Sequence, residues 1–142
     1  MSSLAERRPY GSTHPAHAFL LAASVPAFLG ATLGDIAYAK SYEVQWINFA
    51  SWLIVGGLVF AVAALACGFA ALLRPPWRSA GALAGFLVLL ACCVLGVIDA
   101  FIHARDAWAS MPAGLTLSVV VLVLAGIAAW IGFAGLRAGG PP

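Results

Sequence analysis

The sequence predicts an all-α protein, a four-transmembrane-helix, up-down-up-down antiparallel bundle, and three observations predict it. The chain of 142 residues is 63% hydrophobic and only 8% charged, whereas a soluble domain carries about 25% charged residues. So few charges cannot cover a water-facing surface, so most of the surface must face lipid. Four apolar runs, at about 15–38, 47–73, 79–103 and 113–136, each exceed the roughly 20 residues a helix needs to cross a hydrocarbon core of about 30 Å. The links between them, Lys40 to Trp46, Arg74 to Arg78 and Ala104 to Pro112, are short and return each helix beside the one before.

Helices are expected because lipid offers no partner for backbone N–H and C=O groups. Residues 1–13, with Arg7, Arg8, Pro9 and Gly11, read as a flexible cytoplasmic tail, 14–137 as one transmembrane domain and 138–142 as a short C-terminal tail. Thr13 and Pro15 are suited to the cap and first turn of helix 1, and Pro26 should kink it by removing one backbone hydrogen bond. Arg7-Arg8 before an apolar run, with Ala37-Tyr38-Ala39 beyond it, superficially resembles an export signal. The run is longer than an ordinary signal core and holds Asp35, so the first span is read as retained.

Small residues four apart, Gly30 and Gly34, Gly81 and Gly85, and Ala64 and Gly68, put small faces on helices 1, 3 and 2. Such faces let backbones approach closely, within the monomer or against a second copy or another subunit. Trp46, Trp52, Trp77, Trp108 and Trp130 fall mostly near span ends, as an interfacial aromatic belt requires. Cys67, Cys92 and Cys93 all lie in apolar runs and read as small apolar fillers.

Charge sets the expected orientation. One rim receives five arginines (Arg7, Arg8, Arg74, Arg78 and Arg137) and Glu6; the other receives Asp35, Lys40, Glu43, Asp99, Arg105 and Asp106. The excess of basic residues places the first rim, with both termini, in the cytoplasm of a bacterial inner membrane, where Arg7, Arg8, Arg74 and Arg78 would meet lipid headgroups. The second rim is then periplasmic.

Two groups could carry chemistry. His14 and His17, three apart at the start of helix 1, are candidate haem or metal ligands, although no third ligand accompanies them. At the opposite rim, Asp99 and His103 are four apart on one face of helix 3, Asp35 lies at matching depth, and Arg105 follows. Ionisable residues inside a span default to a functional reading. The Asp–His pair could orient a quinone carbonyl and pass it a proton, bind a cation, or join a structural network with Arg105. Haem b held between two histidines of one monomer is disfavoured, because His14 and His17 lie about 30 Å from His103 along the bundle. No nucleotide-binding or hydrolase motif occurs, and nothing supports nucleic-acid binding.

Several segments carry a resemblance. They are Thr13-His14-Pro15-Ala16-His17, Pro26, Gly34-Asp35-Ile36-Ala37-Tyr38, Ala50-Ser51-Trp52-Leu53, Asp99 to Trp108, Gly114-Leu115-Thr116-Leu117-Ser118 and Trp130 to Gly132. With these the chain resembles a bacterial family of small four-helix predicted membrane proteins of unknown function with an N-terminal His-Pro motif. The resemblance implies an association with periplasmic dehydrogenases and c-type cytochromes. It also shows departures: Ala18 stands where members often have Pro, and Asp99 where Asn is common. The expected role is an accessory or anchor subunit of a respiratory or redox membrane complex, without catalysis of its own. The alternatives are a quinone- or haem-interacting electron-transfer subunit with its site at Asp99 and His103, and a small transporter or channel.

Overall fold

The computed structural model describes residues 15–73 and 80–138, the last four of these by backbone alone. The expected tails at 1–13 and 139–142 therefore lie outside the described residues. So do His14 and the headgroup candidates Arg7, Arg8, Arg74 and Arg78, together with the Arg137 side chain. The described chain is helical, with no strand: α1 Pro15–Ser41, α2 Val44–Leu72, α3 Ala80–His103, the single turn α4 Ala107–Ser110, and α5 Ala113–Ala138. α1, α2, α3 and α5 are each long and apolar enough to cross a membrane.

The first link is tighter than the apolar runs imply. Hydropathy fades after Tyr38, but α1 continues through Lys40-Ser41 and α2 begins at Val44, leaving only Tyr42 and Glu43 between them. Backbone hydrogen bonding, not hydropathy, decides where a helix stops. Tyr42 turns the chain in the left-handed region, at φ 58°, while its N–H donates to the Tyr38 carbonyl at 2.8 Å. Ser41 Oγ donates to the Ala37 carbonyl at 2.7 Å and accepts from the Glu43 N–H at 3.3 Å. The third link contains α4, which the sequence reading does not anticipate. Asp106 is its N-cap residue, and the Asp106 carbonyl accepts from the Ala109 N–H at 2.8 Å.

Each helix buries one narrow seam. The buried positions form a row at 21, 24, 28, 31, 35 and 38 on α1 and at 47, 50, 54, 57, 61 and 64 on α2. On α3 the corresponding row is 89, 92, 96, 99 and 103, and on α5 it is 114, 118, 121, 125 and 128; Thr32, Gly34, Cys93 and Ala129 are buried beside these rows. Spacings alternate between three and four, the pattern of helices that pack knobs into holes at a small crossing angle. The rest of each surface is apolar too, and it faces outward: Phe19, Trp52, Phe101, Trp108 and Trp130 are all exposed.

Glycines set how closely the seams meet. A Cβ on Gly34 would stand 3.1 Å from the Trp46 carbonyl oxygen, and one on Gly57 2.7–2.9 Å from three ring atoms of Phe28. A Cβ on Gly68 would lie 3.6 Å from His17 Cε1. Contacts between α1 and α2 thus step in opposite sequence order. The same holds for α3 and α5, where Gly114 meets His103, Gly96 meets Val121 and Gly85 meets Ile131. Of the four glycines expected at helix contacts, Gly30, Gly34 and Gly85 sit against Leu53, Ala50 and Ile131, whereas Gly81 has nothing within 4 Å.

Gly56 and Gly57 provide a paired test. Gly57→Ala drives a methyl into the buried Phe28 ring and should destabilise by about 1–3 kcal/mol. Gly56 has open space around it, so Gly56→Ala should be neutral or stabilising by up to about 1 kcal/mol, because alanine is the better helix former. Thermal unfolding in detergent, followed by circular dichroism, should show a lowered midpoint for Gly57→Ala and an unchanged or raised one for Gly56→Ala.

Candidate functional site

Four polar side chains from three helices meet where the C-terminal ends of α1 and α3 face the start of α5. Each occupies its helix's buried seam. Asp35, on α1, is 0% exposed; Asp99 and His103, on α3, are 0% and 7% exposed; Ser118, on α5, is 2% exposed. Such burial in the last turns of the spans shows that nearness to the membrane edge does not wet these groups.

The bonding is continuous. His103 Nε2 lies 2.8 Å from Asp35 Oδ1, and Nδ1 lies 3.0 Å from the Asp99 backbone carbonyl and 3.1 Å from Asp99 Oδ1. The carbonyl can only accept, so Nδ1 carries a proton directed at it. Asp99 Oδ1, although close, has no hydrogen bond of its own. Ser118 Oγ stands 2.6 Å from Asp35 Oδ2 and 2.9 Å from Asp99 Oδ2. Ser118 therefore bridges the two carboxyls, and His103 closes the circuit on the other side.

Two glycines make room. Gly34 precedes Asp35 and lets α2 lie directly against α1. Gly114, one turn before Ser118, lies under the imidazole: a Cβ there would stand 2.8 Å from His103 Cε1 and 3.3 Å from Nε2. The ring is thus fixed by bonds at both nitrogens and by backbone beneath it. A quinone carbonyl or a haem iron could reach either nitrogen only by displacing one of these bonds.

The structure brings Asp35, Asp99 and His103 together and leaves Arg105 out. Arg105 is exposed and its guanidinium joins neither ion pair of the cluster, because the chain leaves the helix at Ala104 and carries it outward. The network role weighed for it therefore falls to Ser118, which sequence reasoning did not single out. At the other end of the bundle, His17 is half-buried with Nδ1 lacking a hydrogen bond among the described residues, and the pairing with His14 lies outside them. Cys92 and Cys93 are buried and Cys67 is exposed. Cys92 Sγ lies 3.6 Å from the Val121 carbonyl. Among the described residues no group of three or more His, Cys, Asp or Glu is placed to hold a metal ion.

Four membrane-length apolar helices, three of them joined by a buried polar cluster, define a small polytopic membrane protein. The chain belongs to the family described as "Predicted membrane protein (DUF2231)", which matches residues 13–135. Comparison with characterised proteins and with solved structures gives no match.

Removing members of the cluster should cost stability in a definite order. His103→Ala leaves two buried carboxyls without their cationic partner and should cost about 3–5 kcal/mol. Ser118→Ala removes one bridging hydroxyl and should cost about 1–3 kcal/mol. Arg105→Ala should change stability by less than about 0.5 kcal/mol. Unfolding of the three variants in mixed micelles checks the ranking; a large loss from Arg105→Ala would contradict the geometry described.

Proposed function

We propose that this protein is an integral-membrane accessory or anchor subunit that docks laterally on other membrane helices and carries out no catalysis alone. The observation that carries this reading is the division of its surfaces. Asp35, Asp99, His103 and Ser118 point inward and bond one another. The outside offers small-residue positions that the monomer leaves open. Gly56, Gly81 and Gly126 have nothing within 4 Å. Gly126 also lines an apolar groove of about 430 Å³ with Ala22, Val25, Pro26, Ala129, Trp130 and Phe133. Small residues at a lipid-facing surface permit close helix approach, and packing is the main force between helices in lipid. That the assembly is a respiratory or redox one, with a periplasmic dehydrogenase or cytochrome c as neighbour, rests on the family resemblance and not on the site.

The test is particle size. Extracted in mild detergent, the chain should run as part of a larger particle, and Gly126→Leu, which fills the groove, should release it while leaving the helical content unchanged. A lone monomer of full stability, or a particle indifferent to groove filling at Gly126 and to Gly56→Leu, overturns the reading.

We also propose that the four helices thread the inner membrane up and down, with the arginine-rich rim in the cytoplasm. The support is the distribution of arginine and the opposite stepping of contacts between neighbouring helices. A C-terminal fluorescent-protein fusion should then fluoresce and a C-terminal alkaline phosphatase fusion should be inactive; the reverse pattern would turn the bundle over.

A further inference from the structure

We infer that the Asp35–Asp99–His103–Ser118 cluster is a proton-binding site that holds two protons when closed and releases one to water. The inference comes from counting hydrogens and does not depend on lateral docking. Four contacts each need one hydrogen: His103 Nδ1 to the Asp99 carbonyl, His103 Nε2 to Asp35 Oδ1, and Ser118 Oγ to Asp35 Oδ2 and to Asp99 Oδ2. A neutral imidazole brings one hydrogen and a serine hydroxyl one. The remaining two must be added protons, and with them the two carboxyls and the imidazole sum to zero charge. Neutrality is what a low-dielectric interior favours.

The geometry also places the two protons. Asp35 accepts at both oxygens, from His103 Nε2–H at 2.8 Å and from the Ser118 hydroxyl at 2.6 Å, so it is the better home for a carboxylate. Asp99 Oδ1 is buried without a hydrogen bond, which suits an acid. One proton therefore makes His103 an imidazolium. The other is on Asp99 Oδ2, donated to Ser118 Oγ, which donates on to Asp35. Release breaks the Asp99 O–H bond; the proton passes to water, the electron pair stays on Asp99, and the cluster is left with one negative charge. Ser118 then has one hydrogen for two carboxylate contacts and must give one up, which unties α5 from α1 or α3 at this rim.

No other described element supplies a charge to the cluster. α2 contains no Asp, Glu, His, Lys or Arg. On α1, Lys40 is exposed, and Tyr38 packs its ring against Tyr42. Arg105 and Asp106 are exposed, α4 has no ionisable residue, and α5 has none among its described side chains.

Infrared spectroscopy of the full chain in lipid nanodiscs tests this. At neutral pH the wild type should show the C=O stretch of one protonated carboxyl, and the band should move on transfer to heavy water. Asp99→Asn, whose amide can donate to Ser118 in the acid's place, should lack the band at every pH. Ser118→Ala should keep it but move it to higher frequency, as for an acid that has lost its acceptor. A folded wild type without the band overturns the inference, as does a band that persists in Asp99→Asn. A band that sodium abolishes at fixed pH also overturns it, since the site would then be one for a metal cation.

Discussion

The contact on which the rest of this structure depends is that between His103 and Asp35, 68 residues apart in sequence and 2.8 Å apart in space. An ionisable group in lipid is costly unless it is paired and hydrogen-bonded. The described spans bury three such groups completely or nearly so, Asp35, Asp99 and His103. They lie on two helices, and a third helix supplies the hydroxyl that joins the carboxyls. Register follows from this requirement. Sliding α1 by one turn against α3, about 5.4 Å, would leave Asp35 without its imidazole and expose both ends of the broken pair to an apolar surrounding. Apolar contacts of α1 with its neighbours α2 and α5 could re-form after such a slip; this contact could not. A buried pair of this kind is a weak source of stability but a strong selector among packings.

The remaining features serve that register. Gly34 brings α1 against α2 next to Asp35, and Gly114 brings α5 under His103. Both are spaced to put the neighbouring polar side chain on the seam. α2 alone contributes no side chain to the cluster, and its attachment rests on shape: Ala50, Ile54, Gly57, Ala61 and Ala64 present a smooth face, into which Phe28 fits over Gly57. One helix is therefore positioned by packing, and three by packing and hydrogen bonding together.

The spans were legible in the sequence because hydropathy and length suffice to find them. Their inward faces were not. In a soluble bundle polar residues mark the outer face, but here lipid-facing Val59, Leu87 and Val123 are as apolar as buried Ile54, Leu89 and Val121, so periodicity vanishes from composition. Only the polar residues betray the seam. Asp99 and His103 could be paired on sight, being four apart on one helix. Asp35 could be matched to them by depth. Ser118 could not, since a single serine in a span is ordinarily satisfied by the carbonyl of its own helix, as Ser24 is by Leu21 at 2.8 Å. Its signal lay in spacing from Gly114: a small residue and a hydroxyl one turn apart, facing the helix that carries the histidine. Arg105 misled for the opposite reason, since proximity in sequence to His103 does not survive the end of the helix.

The same asymmetry explains why the site is closed and not a cleft. Every acceptor of Asp35 and both nitrogens of His103 are engaged within the bundle, so the cluster has little capacity left for a large ligand that would need to replace those bonds one for one. The group with spare capacity is Asp99, whose Oδ1 is buried and without a hydrogen bond. A complete lock would have left no such atom. An incomplete one, built from titratable groups and joined through a single hydroxyl hydrogen that two carboxyls compete for, is an arrangement that the smallest of ligands, a proton, can open and close.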